Sequence, residues 1–191
     1  MTESTPPSGP PARLRPTLPA WAQVTAARLQ HIQRVAELVA AWAEELGLPE
    51  SEEKRWLKAV WLHDALRDAP EAELMKWASS TPGPVEMRHG PAAASRAKSE
   101  GETDRGVLDA VRYHSTGLAE WDMAGRALYC ADFLDPGRSF DREARAALAK
   151  QFPSNPQAVL REVAWRRMAY LVESRWIIPE PTYRFWNALA A

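Results

Sequence analysis

From Trp21 onward the apolar residues of this chain recur at three- and four-residue steps, and that spacing constrains the fold more than any other feature. Ile32, Val35, Val39, Trp42 and Leu46 form one face of an amphipathic helix, which Gly47 and Pro49 end. Leu57, Val60 and Trp61 mark a second helix over roughly 50–66, whose inner face continues one turn later into Asp64 and Ala65. A short helix is expected at about 71–78, then a broken loop through Thr81, Pro82, Gly83 and Pro84, and Pro91 suits the first position of the next helix. Thr103 or Asp104 can cap a helix that carries Val107, Leu108 and Val111 inward and brings His114 to its end, before Gly117. Asp122 can cap another, through Leu128 and Asp132, which must stop before Pro136 and Gly137. Helices at about 141–151 and 156–175, the second opened by Asn155-Pro156, and a short last one capped by Thr182 complete the pattern. No segment keeps the period-two alternation of a half-buried strand, so the expected fold class is all-α.

A chain of 191 residues with 46% apolar content fits a single core. Residues 1–19 are crowded with Pro, Ser and Thr and offer too little apolar surface to offset the entropy of ordering them; a disordered tail is expected there, with one domain over 20–191. The formal charge of -1 supplies no global field for a polyanion, so a nucleic acid polymer is not an expected partner. Cys130 stands alone, which excludes an intramolecular disulfide and a Cys-based zinc site. Without the apolar stretch of a signal peptide, or a run of ~20 apolar residues to cross a bilayer, the expected location is cytoplasmic and off the membrane.

Six polar residues fall on or beside these apolar faces or at helix ends: His31, His63, Asp64, His89, His114 and Asp132. An ionised carboxylate buried in such a place costs many kcal/mol unless a cation or a metal partners it, and the histidines are the available partners. A single histidine on an inner face is more often a hydrogen-bonded core residue than a ligand. The order of the whole set carries more weight: an isolated His, an adjacent His-Asp pair at a helix end, two further His and then an Asp, taking up all 4 histidines of the chain.

That order, H…HD…H…H…D, resembles the signature of the HD-domain superfamily of metal-dependent phosphohydrolases, an all-α helical bundle. The segments RLQHIQRVAELV, WLHDALRDAP, HGPAAA, RYHSTG and YCADFLDPGRSF are similar to successive motifs of the bacterial YqeK family over about residues 24–187. Members of that family act as symmetrical bis(5'-nucleosyl)-tetraphosphatases, with a di-iron centre that splits diadenosine tetraphosphate into two ADP. The resemblance implies that His31, His63, Asp64 and Asp132 hold one metal and His89 and His114 the other, with Asp64 bridging. It assigns catalytic roles to Asp64, His89 and His114, and makes a dinucleoside polyphosphate the small-molecule partner. Two residues depart from the family: Arg67 stands where a lysine is usual, and Asp135 where a glutamate usually precedes Pro-Gly-Arg. Neither is a proposed ligand, so both are expected to bear on substrate preference.

Imidazole and carboxylate without thiolate suit iron, manganese, cobalt or zinc, divalent or trivalent, and do not choose among them; iron comes first only through the resemblance. Two ions ~3.5–4 Å apart can bring a bridging water's pKa toward neutrality and neutralise charge on phosphate, so no protein nucleophile is needed. No Walker loop or Gly-x-Ser-x-Gly elbow competes with this chemistry. Arg67, Arg112 and Arg138 flank the ligand motifs and could grip phosphate, with Ser115 and Thr116 as hydroxyl donors; each could equally serve the surface or a helix end. The 9 tryptophans are expected mainly in the core, though one could stack on adenine, and Trp176 or Trp186 could mark a homodimer surface or a buried C-terminal helix. Two rival functions stay open. One is another HD-type nucleotide phosphohydrolase, acting on a monophosphate or an alarmone; the other is a catalytically silent nucleotide-binding regulatory module.

Overall fold

The computed structural model describes residues 17–190, and among these every regular element is helical. The order is α1 (Ala26–Glu45), α2 (Glu50–His63), α3 (Glu71–Ala78), a 3-10 turn (Val85–Arg88), α4 (His89–Ser99), α5 (Arg105–Tyr113), α6 (Met123–Leu134), α7 (Arg142–Gln151), α8 (Pro156–Glu173) and α9 (Glu180–Ala190). The apolar spacing is what the bundle buries. Ile32, Val35, Val39 and Trp42 of α1 meet Trp56, Leu57 and Val60 of α2, Val107 and Val111 of α5, and Leu128 of α6 in one core. Trp42 also stacks on Phe152 at the end of α7, with ring centroids 3.9 Å apart. Trp121, Tyr129 and Phe185 close a second aromatic corner between α6 and α9, at centroid distances of 5.2–5.5 Å.

The caps that start these helices were largely legible. Asp104 accepts from the Val107 N–H at 3.1 Å, Asp122 from Ala124 at 3.0 Å, and Asn155 from Ala158 at 3.2 Å ahead of Pro156. Arg55 ties the first two caps together, pairing with Asp104 at 2.6 Å and with Asp122. Thr25 caps α1, and its own hydroxyl donates to Asp68 at 2.8 Å, so the residue that starts α1 also pins the chain just after α2.

Three boundaries differ from the sequence expectation. α2 stops at His63 instead of about residue 66, because Pro70 is near and the N–H groups of Ala65, Arg67 and Ala69 go to successive turns, with Arg67 donating to Asp64 O at 2.9 Å. α4 begins at His89, making Pro91 its third residue; the first helical N–H groups have no intrahelical acceptor, so proline costs nothing there. Thr182 is buried inside α9 and caps nothing, since the helix opens at Glu180. Of the expected tail, residues 1–16 lie outside the described residues, while Leu18 packs half-buried against the core. Among the described residues no helix is long and apolar enough to cross a membrane.

Candidate metal centre

Five helices deliver the His/Asp set to one buried point. His31 comes from the second turn of α1, His63 is the last residue of α2 and Asp64 its C-cap, His89 opens α4, His114 caps the end of α5, and Asp132 lies in the last turn of α6. All six are buried. Asp64 stands between two groups. Its Oδ2 lies 3.8 Å from His31 Nε2 and 3.6 Å from His63 Nε2, whereas its Oδ1 lies 3.2 Å from His89 Nε2 and 3.5 Å from His114 Nε2. Asp132 joins the first group, with Oδ1 3.2 Å from His31 Nε2. Donor atoms of His31, His63 and Asp64, and again of Asp64, His89 and His114, all lie within 4.8 Å of one another.

α4 and α5 can bring His89 and His114 together because position 90 is glycine: a Cβ there would sit 2.8 Å from Val111 O and 3.1 Å from His114 Cε1. The ring nitrogens are then fixed from behind. His63 Nδ1 donates to Val60 O at 2.7 Å, His89 Nδ1 to Glu86 O at 2.6 Å, His114 Nδ1 to Val111 O at 2.8 Å, and His31 Nδ1 to the Asp135 carboxylate at 2.7 Å. Each acceptor lacks a proton, so each ring carries its hydrogen on Nδ1 and turns Nε2 to the centre. His89 Nε2 and His114 Nε2 face each other at 3.0 Å, and the Nε2 atoms of His31 and His63 are buried without a hydrogen-bond partner. Inward-facing lone pairs around two carboxylates form a donor set that fits cations of the imidazole and carboxylate type.

The electrostatics agree with a site built for positive charge. Burial pushes the Asp64 carboxyl up, but His63, His114 and His89 outweigh it and hold the group well below the usual carboxylate range. For Asp132, burial is likewise outweighed by His31, Arg167 and Arg138. Burial lowers His63 to about 4. At His31 burial also lowers, yet the Asp132 and Asp135 carboxylates prevail and raise it to about 9, so a cation binding at Nε2 takes the place of a proton there.

The sequence profile of the HD domain family matches residues 28–149, which contain all six of these residues. The chain belongs to the HD domain family. Among proteins similar to this HD chain, a Bacillus subtilis protein named symmetrical bis(5'-nucleosyl)-tetraphosphatase is 28% identical over 126 residues, covering 62% of this chain and 66% of that protein. A Staphylococcus aureus protein of the same name is 36% identical over 55 residues, 28% of each chain. The chain therefore spans just under two thirds of the first relative's length in the match and under a third of the second's. A crystal structure from Clostridium acetobutylicum, titled a predicted HD superfamily hydrolase involved in NAD metabolism, superposes with a TM-score of 0.74 at 19% identity. It covers 87% of this chain and 90% of that one, a likeness of fold.

Around the HD centre lies a ring of arginines, most of which the sequence did not single out. Arg28 pairs with Asp64 Oδ2 at 2.8 Å, Arg138 with Asp132 Oδ1 at 2.9 Å, and Arg167 with Asp132 Oδ2 at 2.8 Å. A cavity of about 250 Å³ opens beside His31, lined by Thr25, Arg28, Arg34, Gly137 and Arg138. A larger, open groove of about 780 Å³ runs between α8 and α9 past Trp165 and Trp186, but none of the six centre residues lines it and its size alone gives it no chemistry. Of the other expected substrate contacts, Arg67 donates to Glu86 O at 3.2 Å and its charge helps to lower His89, after burial. Ser115 Oγ is 3.1 Å from His114 Nε2. Arg112 reaches Ser95 at 3.4 Å, and the Thr116 hydroxyl is engaged by the Tyr113 and Gly117 carbonyls; among the described residues no hydrogen bond or ion pair links either one to the centre. Asp135, expected to bear on substrate preference, lines the cavity beside His31 and accepts from His31 Nδ1 at 2.7 Å. Cys130 is buried, and burial pushes its thiol up, which suits packing and not reactivity.

Proposed function

We propose that this HD protein hydrolyses dinucleoside tetraphosphates symmetrically, cleaving diadenosine tetraphosphate to two ADP. The observation that carries the reading is the division of Asp64, one oxygen facing His31 and His63 and the other facing His89 and His114. That arrangement suits two ions sharing one carboxylate, and the tetraphosphatase name of the Bacillus and Staphylococcus relatives supplies the substrate class. In this reading His31, His63, Asp64 and Asp132 hold one ion, and His89 and His114 hold the other with Asp64 shared. Bound there, two such ions, iron foremost among iron, manganese, cobalt and zinc, supply Lewis acidity toward phosphate and make water acidic enough to attack at neutral pH.

The chain's own residues then bind and orient. Arg28 and Arg138 each spend one N–H on a centre carboxylate, and a guanidinium has five, so both keep donors for phosphate oxygens in the 250 Å³ cavity. Arg67 and Ser115 approach from the His89–His114 side. Holding part of the polyphosphate on this basic wall leaves one inner phosphorus in line with the incoming water. The water oxygen joins that phosphorus, the central P–O–P bond breaks, and the second ADP leaves with the bridging oxygen.

The test is hydrolysis of a nucleotide panel by metal-loaded protein in heavy-oxygen water, with products separated and weighed. ADP as the sole product of diadenosine tetraphosphate, with label in one ADP of each pair, is expected. AMP plus ATP, or rapid hydrolysis of a monophosphate with the tetraphosphate untouched, would transfer the centre to another HD-type phosphohydrolase activity. Binding without turnover would make it a regulatory module.

A further inference from the structure

His31 differs from the other three histidines of the centre in where it sits. His63, His89 and His114 lie at helix boundaries, and each donates Nδ1–H to the carbonyl three residues before it. Carbonyls at such places are not all claimed by the helix ladder. His31 lies inside α1, where carbonyls accept from N–H groups four residues on, so its ring needs an acceptor from elsewhere. Asp135 supplies it from the turn after α6, 104 residues away, at 2.7 Å.

Asp135 is itself held on all sides. Arg34, one turn after His31 in α1, grips it with Nε at 2.6 Å to Oδ1 and Nη2 at 2.9 Å to Oδ2. The Gly137 N–H donates to Oδ1 at 2.9 Å, and buried Arg145 donates to the Asp135 carbonyl at 3.4 Å. The guanidinium of Arg34 lies where a Cβ on residue 137 would be, so glycine at 137 is what admits the clamp. The same Arg34 lines the 250 Å³ cavity beside His31.

We propose that Asp135, clamped by Arg34 against Gly137, is a positioning residue that fixes the His31 ring with Nε2 toward the ion held by His31, His63, Asp64 and Asp132, a role that rests on the centre being a metal site. Its effect is confined to one of the two ions. His89 and His114 take their orientation from Glu86 and Val111, and among the described residues no hydrogen bond or ion pair links either ring to Asp135. Loss of the clamp frees the ring to turn and removes the charge that makes Nε2 the better donor, a kind of change that lowers metal affinity by ~10–100-fold.

The experiment is calorimetric titration of metal-free protein with Mn²⁺, alongside circular dichroism of the same samples. Wild type is expected to bind two ions. Asp135→Asn should bind one ion as wild type does and the other ~10–100-fold more weakly, with helicity unchanged, and Asp135→Glu should recover most of the loss. Gly137→Ala leaves Asp135 and His31 intact but displaces Arg34, and it should weaken the same ion to a smaller degree. If Asp135→Asn does not fold, Gly137→Ala carries the comparison. Equal weakening of both ions, or unchanged affinity for both in a folded variant, overturns the positioning role while leaving the metal centre standing. Wild type that binds no Mn²⁺ overturns the metal centre and the positioning role together.

Discussion

The two ends of the centre are built differently. At the His31–Asp132 end, His63 is backed by the Val60 carbonyl, but around His31 side chains compensate one another: Asp132 faces His31, Arg138 and Arg167, and Asp135 faces His31 and Arg34. At the His89–His114 end the backbone does this work, through the Glu86 and Val111 carbonyls, and Asp64 is the carboxylate paired with the two rings among the described residues. An end held by side-chain charges can be tuned by single substitutions. An end held by carbonyls depends on how two helices meet, and so on the close approach at Gly90. Asp64 belongs to both.

The largest effect is therefore expected from Asp64→Asn, which keeps the shape and removes the shared charge. Elemental analysis should find most of both metals lost, and turnover should fall by more than ~100-fold, beyond the cost of removing an outer-shell partner. Retention of one full equivalent would confine Asp64 to a single end. Gly90→Ala ranks next, because its Cβ would press on Val111 O and His114 Cε1 and part α4 from α5. Overpacking of this kind costs ~1–3 kcal/mol, visible as a lower Tm, and the metal lost should be the one at the His89–His114 end. Loss of the other ion instead would erase the distinction between the ends.

How much of this could be read beforehand follows the same division. Apolar spacing gave α1, α2 and α5 with their inward faces, and Asp104, Asp122 and Asn155 announced their helices as caps, since both signals are local. The series of His and Asp residues located the centre. The arginine ring was hidden because its partners come from different helices: Arg28 meets Asp64 from 36 positions away, and Arg167 meets Asp132 from 35. Asp135 stood out as a departure in the DPGR motif, but only packing of α6 against α1 shows that it faces His31. The carbonyl acceptors of His63, His89 and His114 depend on where helices begin and end, the least legible feature of a sequence, and Asp64 itself was placed on a helix face when it is the cap beyond it.

Smaller effects probe the wall of the cavity and then the frame. Arg138→Ala removes the proposed donor to phosphate and a partner of Asp132; a charge-assisted hydrogen bond of ~1.5–3 kcal/mol implies kcat/KM lower by roughly 10–100-fold, mostly through KM. A fall in kcat with KM unchanged would place Arg138 at the reacting atoms and not at substrate binding. Arg55→Ala, which unties the Asp104 and Asp122 caps, should lower stability by only ~1 kcal/mol and leave metal content unchanged. Arg55 is the main cause that holds the Asp104 carboxyl below its ordinary range. The link is therefore complete at neutral pH and above the unfolded carboxyl pKa, and is lost as pH falls through the lower folded value, so the Tm difference between wild type and variant should shrink toward acid. A difference that persists in strong acid would assign the effect to packing.

The most direct measurement is anomalous diffraction from crystals of metal-loaded protein, recorded at the absorption edge of the bound metal. Two peaks ~3.5–4 Å apart are predicted, with Asp64 between them, one against His31, His63 and Asp132 and the other against His89 and His114. A single peak, or peaks that leave Asp64 bound to one ion only, would contradict the shared-carboxylate centre.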